Sequence, residues 1–291
     1  MSGAVVADWL DVTCSPDDFD QVRGVIEGVL MRADCSSKED GQWRGPSGSG
    51  LVRIEQRRRG GNSYGKLSAS GEILAHLRAC GLFLDYLAAL SGVPHRITRL
   101  DCALDTEEDG ADVVRRYRRR YGRSCRVRLS HKAVRSWFYT SAREDGRETG
   151  TFYVGDRRKA EITARVYDKA QQLAEAKGVC SPPRTRYELT VRKGLASLRD
   201  AAEPDRLFWH YMAPGLLRRP AGVPAWESGW GGEWVQEPAD ADLWALLRYR
   251  VATSGELAAL FRLAEQAGAE GPAYLFRLLR RQYAPAEPAD S

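Results

Sequence analysis

The amino-acid sequence predicts an α+β protein, in which a central, mostly antiparallel sheet is flanked by helices and followed by a C-terminal helical region. Segments with the apolar and polar alternation of β-strands recur as far as residue 193, separated by helical patterns. After Gly194 the alternation ends and only helical periodicity remains. At 291 residues and 43% hydrophobic content, the chain is long enough to bury a substantial core.

The composition argues against several classes of protein. Met1 to Cys14 lacks the basic start and apolar stretch of a signal peptide, and no run of 18 apolar residues predicts a membrane span. The six cysteines form no Cys-x-x-Cys pair, and the four histidines are dispersed, so a zinc site or disulfide framework is not expected. We therefore expect a cytoplasmic protein without a membrane partner, in which any metal ion has oxygen ligands.

The N-terminal part of the chain predicts a strand, a helix, a hairpin and a second helix. Alternation over Val5–Cys14 predicts the first strand, and Ser15 as N-cap with Pro16 in the first turn predicts a helix over Phe19–Leu30. The following elements are a Gly/Ser loop over Gly41–Gly50, a hairpin of Leu51–Arg58 with Tyr64–Ser68, and one helix over Gly71–Leu90 that tolerates Gly81.

Basic residues are concentrated in one predicted helix. The net charge is +5, and eight arginines lie between Arg115 and Arg128. Arginine binds phosphate bidentately, so this cluster predicts contacts with a nucleic-acid backbone. Arg116, Arg119 and Arg123 share one helical face if the helix extends that far. The alternative is a solvated helix face with no ligand.

Two predicted strands carry carboxylates on a polar face. Alternation over Arg96–Asp105 places Arg99, Asp101 and Asp105 on one side. In the strand predicted over Arg184–Arg192, Arg186 and Glu188 share a side in the same way. Such carboxylates either pair with neighbouring arginines or bind a divalent cation through oxygen, and Asp105 has the further option of starting a turn. Helices are predicted at Ala196–Asp200, Pro204–Met212, Asp240–Ala252, Ser254–Ala267 and Ala273–Tyr283.

The most informative stretch is Thr151–Lys169, which predicts two strands joined by a basic turn. Arg165 and Tyr167 share one face, and Lys169 follows if the strand continues, so a phenol lies between two cations. Nearby positive charge lowers the cost of a phenolate that attacks a phosphodiester, which makes Tyr167 a candidate nucleophile and Tyr153 the second choice. The alternative is that Tyr167 is an ordinary half-buried strand aromatic.

Taken in order, these motifs resemble the replication initiation factors of rolling-circle plasmids and filamentous phages. Relaxases of some conjugative elements share the same domain. The matching segments are Asp8–Val12, Ile97–Asp105, Thr151–Arg158, Arg165–Lys169 and Arg186–Leu189. The resemblance implies an enzyme that nicks one DNA strand at an origin, keeps the 5′-phosphate on a tyrosine and leaves a 3′-OH for a polymerase. The absence of a His-x-His motif excludes the histidine-based relaxase class.

Carried over, the resemblance implies that Tyr167 is the nucleophile, assisted by Arg165 and Lys169. Asp101 and Glu188 would bind Mg²⁺ or Mn²⁺, with Asp105 as a third candidate, at a solvated cleft where their removal costs little stability. The family commonly has Ser where this chain has Asp156. The expected DNA-binding residues are Arg99, Arg157, Arg158, Arg186, Arg116, Arg119 and Arg123.

The expected domain organisation is a catalytic strand-transferase domain over residues 1–200, a Trp/Gly-rich connection over 201–235, a helical region over 236–285 and a disordered tail over 286–291. Expected partners are an origin, as single-stranded or cruciform DNA, a host helicase or polymerase, and a second copy of the chain as a homodimer. Three other functions stay open: a conjugative relaxase of the same family, a metal-dependent nuclease in which water attacks and Tyr167 is structural, and a non-catalytic DNA-binding protein. Carboxylates among the arginines disfavour the last, since a pure phosphate binder gains nothing from them.

Overall fold

The structure is a computed structural model that describes residues 4–226, apart from gaps at 39–40, 47, 49, 60, 123–125, 131, 143–145, 147, 214 and 224. These residues lie in the first of the two units into which the chain divides, Met1–Pro238 and Ala239–Ser291. The three helices predicted after Asp240, the region 236–285 and the tail 286–291 lie outside the described residues.

The described residues form eleven strands and seven helices. In chain order these are β1 (Val6–Cys14), α1 (Phe19–Arg32), β2 (Ser36–Lys38), β3 (Gln42–Arg44), β4 (Val52–Arg59), β5 (Asn62–Ser70), α2 (Gly71–Ala79), α3 (Phe83–Ser91), β6 (Arg96–Thr106), α4 (Gly110–Tyr121), β7 (Arg126–Leu129), β8 (Lys132–Ala142), β9 (Glu148–Val154), β10 (Ile162–Asp168), α5 (Lys169–Lys177), β11 (Thr185–Arg192), α6 (Leu198–Ala202) and α7 (Pro204–Met212).

The strands form one sheet in the order β2-β3-β4-β5-β1-β6-β11-β10-β9-β8-β7. Every strand pairing in it is antiparallel. The predicted α+β class, with a mostly antiparallel central sheet and flanking helices, is confirmed. The strands that carry the charged motifs, β6, β11 and β10, are direct neighbours near the middle of the sheet.

The two faces of the central strands differ in chemistry. On one face, side chains such as Leu100, Cys102 and Val166 are fully buried. Helix α4 packs on this face, where the Tyr117 ring lies 5.4 Å from that of Phe152, and such aromatic pairs contribute about 0.5–1.5 kcal/mol beyond area burial. Because side chains alternate along a strand, the charged residues of β6, β10 and β11 project from the opposite face, which we call the polar face.

The single helix predicted over Gly71–Leu90 is wrong, because the chain breaks into α2 and α3 at an angle of 111°. Gly81 adopts a φ of 71°, in the left-handed region that ends helices, and the amide of Leu82 donates to the carbonyl of Leu77 at 2.8 Å. Within the described part of the chain, no single helix is long and apolar enough to cross a membrane; α2 and α3 reach that length and composition only as this bent pair.

Three smaller differences from the predictions concern local structure. The N-cap of α1 is Asp18 and not Ser15, whose hydroxyl instead accepts the Asp18 amide at 3.1 Å. Part of the predicted Gly/Ser loop forms β3. Helix α4 ends at Tyr121 and is followed by Gly122, which has a φ of 64°. Arg123 lies outside the described residues.

We predict that Tyr86→Phe stabilises the protein. The Tyr86 side chain is fully buried, and its hydroxyl has no hydrogen-bond partner among the described residues. Removing a buried, unpaired hydroxyl should raise the free energy of unfolding by about 1–2 kcal/mol in urea titrations. The matched control is Tyr117→Phe, because the Tyr117 hydroxyl donates to the Leu216 carbonyl and its loss should lower the same quantity by about 1 kcal/mol. Equal effects of the two substitutions would contradict the conclusion that the Tyr86 hydroxyl is unpaired and the Tyr117 hydroxyl is paired.

Candidate active site

The strand register brings three sequence-distant motifs together on the polar face. Arg165 lies opposite Glu188, and Tyr167 lies opposite Arg186, in the β10–β11 pair. On the other side of β11, Thr190 lies opposite Asp101 of β6. The strand alternation predicted the faces, and the register determines which residues meet.

Tyr167 is at the centre of this group. Its side chain is 6% exposed, and its hydroxyl donates to Oε2 of Glu188 at 3.3 Å. The Arg165 guanidinium lies 5.1 Å from the ring centre, and the Lys169 ammonium lies 6.0 Å from it. Lys169 is the first residue of α5, because Asp168 ends the strand and caps that helix. The two cations nevertheless flank the ring.

The pKa of the Tyr167 phenol is raised, mainly by burial and further by the Glu188 carboxylate. Arg165 and Arg186 lower the pKa, but by less than burial raises it. Neighbouring cations do lower the cost of the phenolate, as expected, but removal from water outweighs them and the net shift of the pKa is upward. A reaction at this hydroxyl needs a proton acceptor, and the Glu188 carboxylate is in hydrogen-bond range.

Glu188 is buried, with an exposed side-chain fraction of 2%, and is paired with Arg165. One guanidinium nitrogen of Arg165 lies 2.5 Å from Oε1 and 2.6 Å from Oε2. A buried carboxylate depends on such a partner, because an unpaired charge away from water is costly. The pair also fixes the position of the oxygen that faces Tyr167.

Asp101 and Asp105 on β6 each pair with an arginine through both oxygens. Arg99 reaches Asp101 at 2.9 and 2.5 Å, and burial raises the Asp101 pKa to about 6 although Arg99 opposes this. Arg186 reaches Asp105 at 2.6 and 2.8 Å and also Asp8 at 2.8 Å. Asp105 is therefore a strand residue and does not start a turn. Asp8 was not predicted as a site residue, although it opens one of the matching motifs.

The three predicted metal carboxylates do not fit a divalent cation as they stand. Both oxygens of Asp101, Asp105 and Glu188 contact guanidinium groups. Within the described ranges there is no group of three or more His, Cys, Asp or Glu side chains arranged to hold a metal ion. The expected solvated cleft is also wrong, since Asp101 and Glu188 are both only 2% exposed.

The predicted DNA-binding arginines fall into two groups. Arg99 and Arg186 lie on the polar face in ion pairs, whereas Arg157 and Arg158 are exposed in the turn after β9. The remaining predicted residues are Arg116 and Arg119, which lie on α4 over the opposite face, and Arg123, outside the described residues. Arg116 bonds to Glu108 at 2.7 Å. The structure does not bring the α4 cluster to Tyr167.

Asp156 shapes the basic turn. Its Oδ1 accepts the backbone amides of Arg158 at 2.8 Å and Lys159 at 3.3 Å. These hydrogen bonds lower the pKa of the Asp156 carboxyl, and the bond from the Arg158 amide has the largest effect. A serine hydroxyl can accept backbone amides in the same way, so an acid at this position is compatible with a turn of this kind.

Two aromatic residues on β8 project from the polar face and were not among the predicted site residues. Trp137 lies opposite Tyr153 of β9, and their rings stack with centres 5.5 Å apart. Tyr139, two positions further along β8, is 66% exposed. Because they are two residues apart on β8, both side chains occupy one face of the sheet.

Comparison with known proteins supports the resemblance drawn from the motifs. Residues 95–199 match the family model described as replication initiation factor, which confirms that resemblance. A solved structure titled "Structure of Rolling Circle Replication Initiator Protein from Geobacillus stearothermophilus" is 14% identical, with 79% of this chain and 93% of that chain covered and a TM-score of 0.46. A structure titled "KH domains" is 11% identical, with 75% and 45% covered and a TM-score of 0.15. No curated protein matches the chain.

Proposed function

We propose that this relative of replication initiation factors starts rolling-circle replication by nicking one strand at an origin, with Tyr167 as the nucleophile, and later rejoins the strand. The observation that carries the proposal is the contact of the Tyr167 hydroxyl with the buried Glu188 carboxylate at 3.3 Å, beside two cations. This group lies in the segment that matches the replication initiation factors. The match itself supports the broader role in replication initiation.

The proposed chemistry is a transesterification at phosphorus. Glu188 accepts the phenol proton as the Tyr167 oxygen attacks the scissile phosphate, and the bond from phosphorus to the 3′-oxygen breaks. The 3′-oxygen takes up a proton and becomes the 3′-OH, while the 5′-phosphate stays on Tyr167. Rejoining is the reverse attack of a 3′-OH on the phosphotyrosine, so no bond energy is lost to hydrolysis.

Arg165 and Lys169 would stabilise the transition state of this reaction. Both cations lie near the Tyr167 ring, and the negative charge on the phosphate oxygens grows as the fifth bond to phosphorus forms. The pKa of Lys169 is lowered, first by burial and then by Arg186, and a bound phosphate would offset both effects. A dianionic transition state therefore gains more from these groups than the ground state does.

The requirement for Mg²⁺ or Mn²⁺ stays a prediction and enters no step above, because the carboxylates that would hold the ion contact arginines. Cleavage assays in EDTA, with Mg²⁺ or Mn²⁺ added back, test it. The proposed partners in the cytoplasm are origin DNA, a host helicase, a host polymerase that extends the 3′-OH, and a second copy of the chain. A conjugative relaxase would use the same chemistry at a transfer origin.

Covalent capture tests the proposed function. A pool of random single-stranded DNA, labelled at its 3′ end, is incubated with the protein in Mg²⁺ or Mn²⁺ and run on a denaturing gel. We expect label bound to the protein, a phosphotyrosine at Tyr167 by mass spectrometry, and one enriched sequence among the captured strands. Cleavage without an adduct would indicate a water-using nuclease, and binding without cleavage a DNA-binding protein; either result would refute the proposal.

The arginines of α4 give a separate prediction about binding strength. Replacing Arg116 and Arg119 with Ser should weaken binding to random duplex DNA and reduce the salt slope by about 1 per lost phosphate contact, measured by anisotropy between 50 and 200 mM salt. Cleavage of saturating single strands should not change, because α4 lies over the face opposite Tyr167. An unaltered salt slope would instead show that Arg116 and Arg119 lie on a solvated face of α4 that does not contact DNA.

A further inference from the structure

We infer that Trp137, Tyr139 and Tyr153 form a stacking platform for the unpaired bases that flank the scissile phosphate. The inference rests on the proposed function and names where that DNA lies. We call these three residues the aromatic platform. It occupies the polar face on β8 and β9, beside the strand that carries Tyr167.

Strand alternation separates the aromatic platform from the core beneath it. Phe138, between Trp137 and Tyr139, stacks on Phe152 at 4.4 Å, and Phe152 contacts Tyr117 of α4. Phe138 therefore points to the helix-covered face, and its two neighbours on β8 point away from it. Tyr153 lies opposite Arg165, whose guanidinium is already placed on the polar face by Glu188.

The distance to the nucleophile suits a single strand that crosses the sheet. Thr151 of β9 lies opposite Tyr167 of β10, and Tyr139 of β8 lies opposite Thr151. Neighbouring strands are about 4.8 Å apart, so β8 is roughly 10 Å from β10. That span equals about three base steps of ~3.4 Å. A phosphate at Tyr167 would therefore have bases of adjacent nucleotides over the aromatic platform.

Exposed arginines lie near the aromatic platform. Arg157 lies 5.5 Å from the Tyr153 ring centre, and Arg126 on β7 is exposed opposite the exposed Arg135 on β8. Among the described residues, Arg126, Arg135 and Arg157 take part in no ion pair, in contrast to Arg99, Arg165 and Arg186. Exposed rings beside unpaired cations are the combination that binds single-stranded nucleic acid, because rings stack on bases while cations follow the phosphates. This positive surface favours DNA over an apolar protein partner.

Sheet stability alone does not explain the arrangement. A cross-strand aromatic pair such as Trp137 and Tyr153 stabilises a sheet by about 0.2–1 kcal/mol, which accounts for those two rings. Tyr139 is different, because 66% of it is exposed and its ring stacks on no other described aromatic residue. Its open ring face beside Trp137 and the neighbouring arginines is what base stacking requires.

The test compares two probes of equal length: fluorescein-labelled dT15 and a fully abasic strand with the same phosphates. All proteins carry Tyr167→Phe, so that no strand is cleaved. Tyr139→Ala and Trp137→Ala should each weaken dT15 binding about 5- to 100-fold and change binding of the abasic strand less than twofold. Tyr139→Phe and Trp137→Phe keep the ring and should bind dT15 almost as the parent does.

Met31→Ala is the matched control, since Met31 is an exposed apolar side chain on α1 with 60% exposure; it should change neither probe. Equal losses on both probes, or no loss with Tyr139→Ala, would overturn the inference. Circular dichroism checks that Trp137→Ala folds, and Tyr139→Ala decides the outcome if it does not. The assay measures binding by a variant that lacks the nucleophile, so a missing phosphotyrosine adduct would refute the proposed function without changing this result.

Discussion

Tyr167→Phe should abolish strand cleavage and the covalent adduct, with a loss of about 10⁴-fold or more in single-turnover rate. The substitution removes the attacking oxygen and leaves the ring between Arg165 and Lys169. DNA binding, measured by anisotropy, should change less than twofold, because affinity comes from many phosphate contacts. Loss of the hydrogen bond to Glu188 should lower the free energy of unfolding by about 1–2 kcal/mol.

Tyr153→Phe is the control for that result. Tyr153 was the second candidate nucleophile, and it lies on the same face one strand away. Because it has no carboxylate partner among the described residues, its hydroxyl should be dispensable, and the phenylalanine ring should still stack on Trp137. An adduct that persists in Tyr167→Phe and disappears in Tyr153→Phe would show that the nucleophile is misassigned.

Glu188→Gln should produce the second large effect, a loss of about 10²–10⁴-fold in cleavage, because an amide cannot accept the phenol proton. It should also lower the free energy of unfolding by about 2–3 kcal/mol in urea, because Arg165 loses its buried counter-charge. The original expectation, that carboxylate substitutions cost little stability, assumed a solvated cleft. The structure reverses that expectation because Glu188 is buried.

A double substitution separates the two roles of Glu188. Arg165→Met combined with Glu188→Gln removes both charges, so most of the lost stability should return through a coupling of the two substitutions. Cleavage should stay low, because the proton acceptor is still missing. Wild-type cleavage by Glu188→Gln would show that this carboxylate serves only to pair with Arg165.

Much of the fold was predictable because its signals are local. Alternation located most strands, including β1, β6, β10 and β11, but not the short strands β2 and β3, and helix α7 was predicted with its observed bounds, Pro204–Met212. The break at Gly81 was missed because a single glycine is compatible with a continuous helix, and burial of α2 and α3 as separate units decided between the two. Propensity is a weak guide where tertiary packing selects the conformation.

The candidate site was predictable in its residues and not in its contacts. Motifs identified Tyr167, Asp101 and Glu188 as candidates, and alternation placed each with the charged neighbours on its own strand, but only the register shows that the three share a face. Whether a carboxylate pairs with arginine or binds a cation depends on strands about 80 residues apart, as for Arg186 and Asp105, and no local pattern encodes that register. For the same reason the sequence did not show that the α4 arginines lie over the opposite face.

The arginine–carboxylate pairs of the polar face bear on fidelity. Arg99, Arg165 and Arg186 are each held by a carboxylate of the protein, so a phosphate that enters must compete with that carboxylate for the same nitrogens. Random single strands, such as those exposed during chromosome replication, would therefore gain little by approaching Tyr167. Only a strand already held by contacts elsewhere would stay long enough to displace the pairs. Under the proposed function, this resting arrangement would protect the host genome from unscheduled breaks, because cleavage would require a bound strand to replace the carboxylates as partners of the arginines.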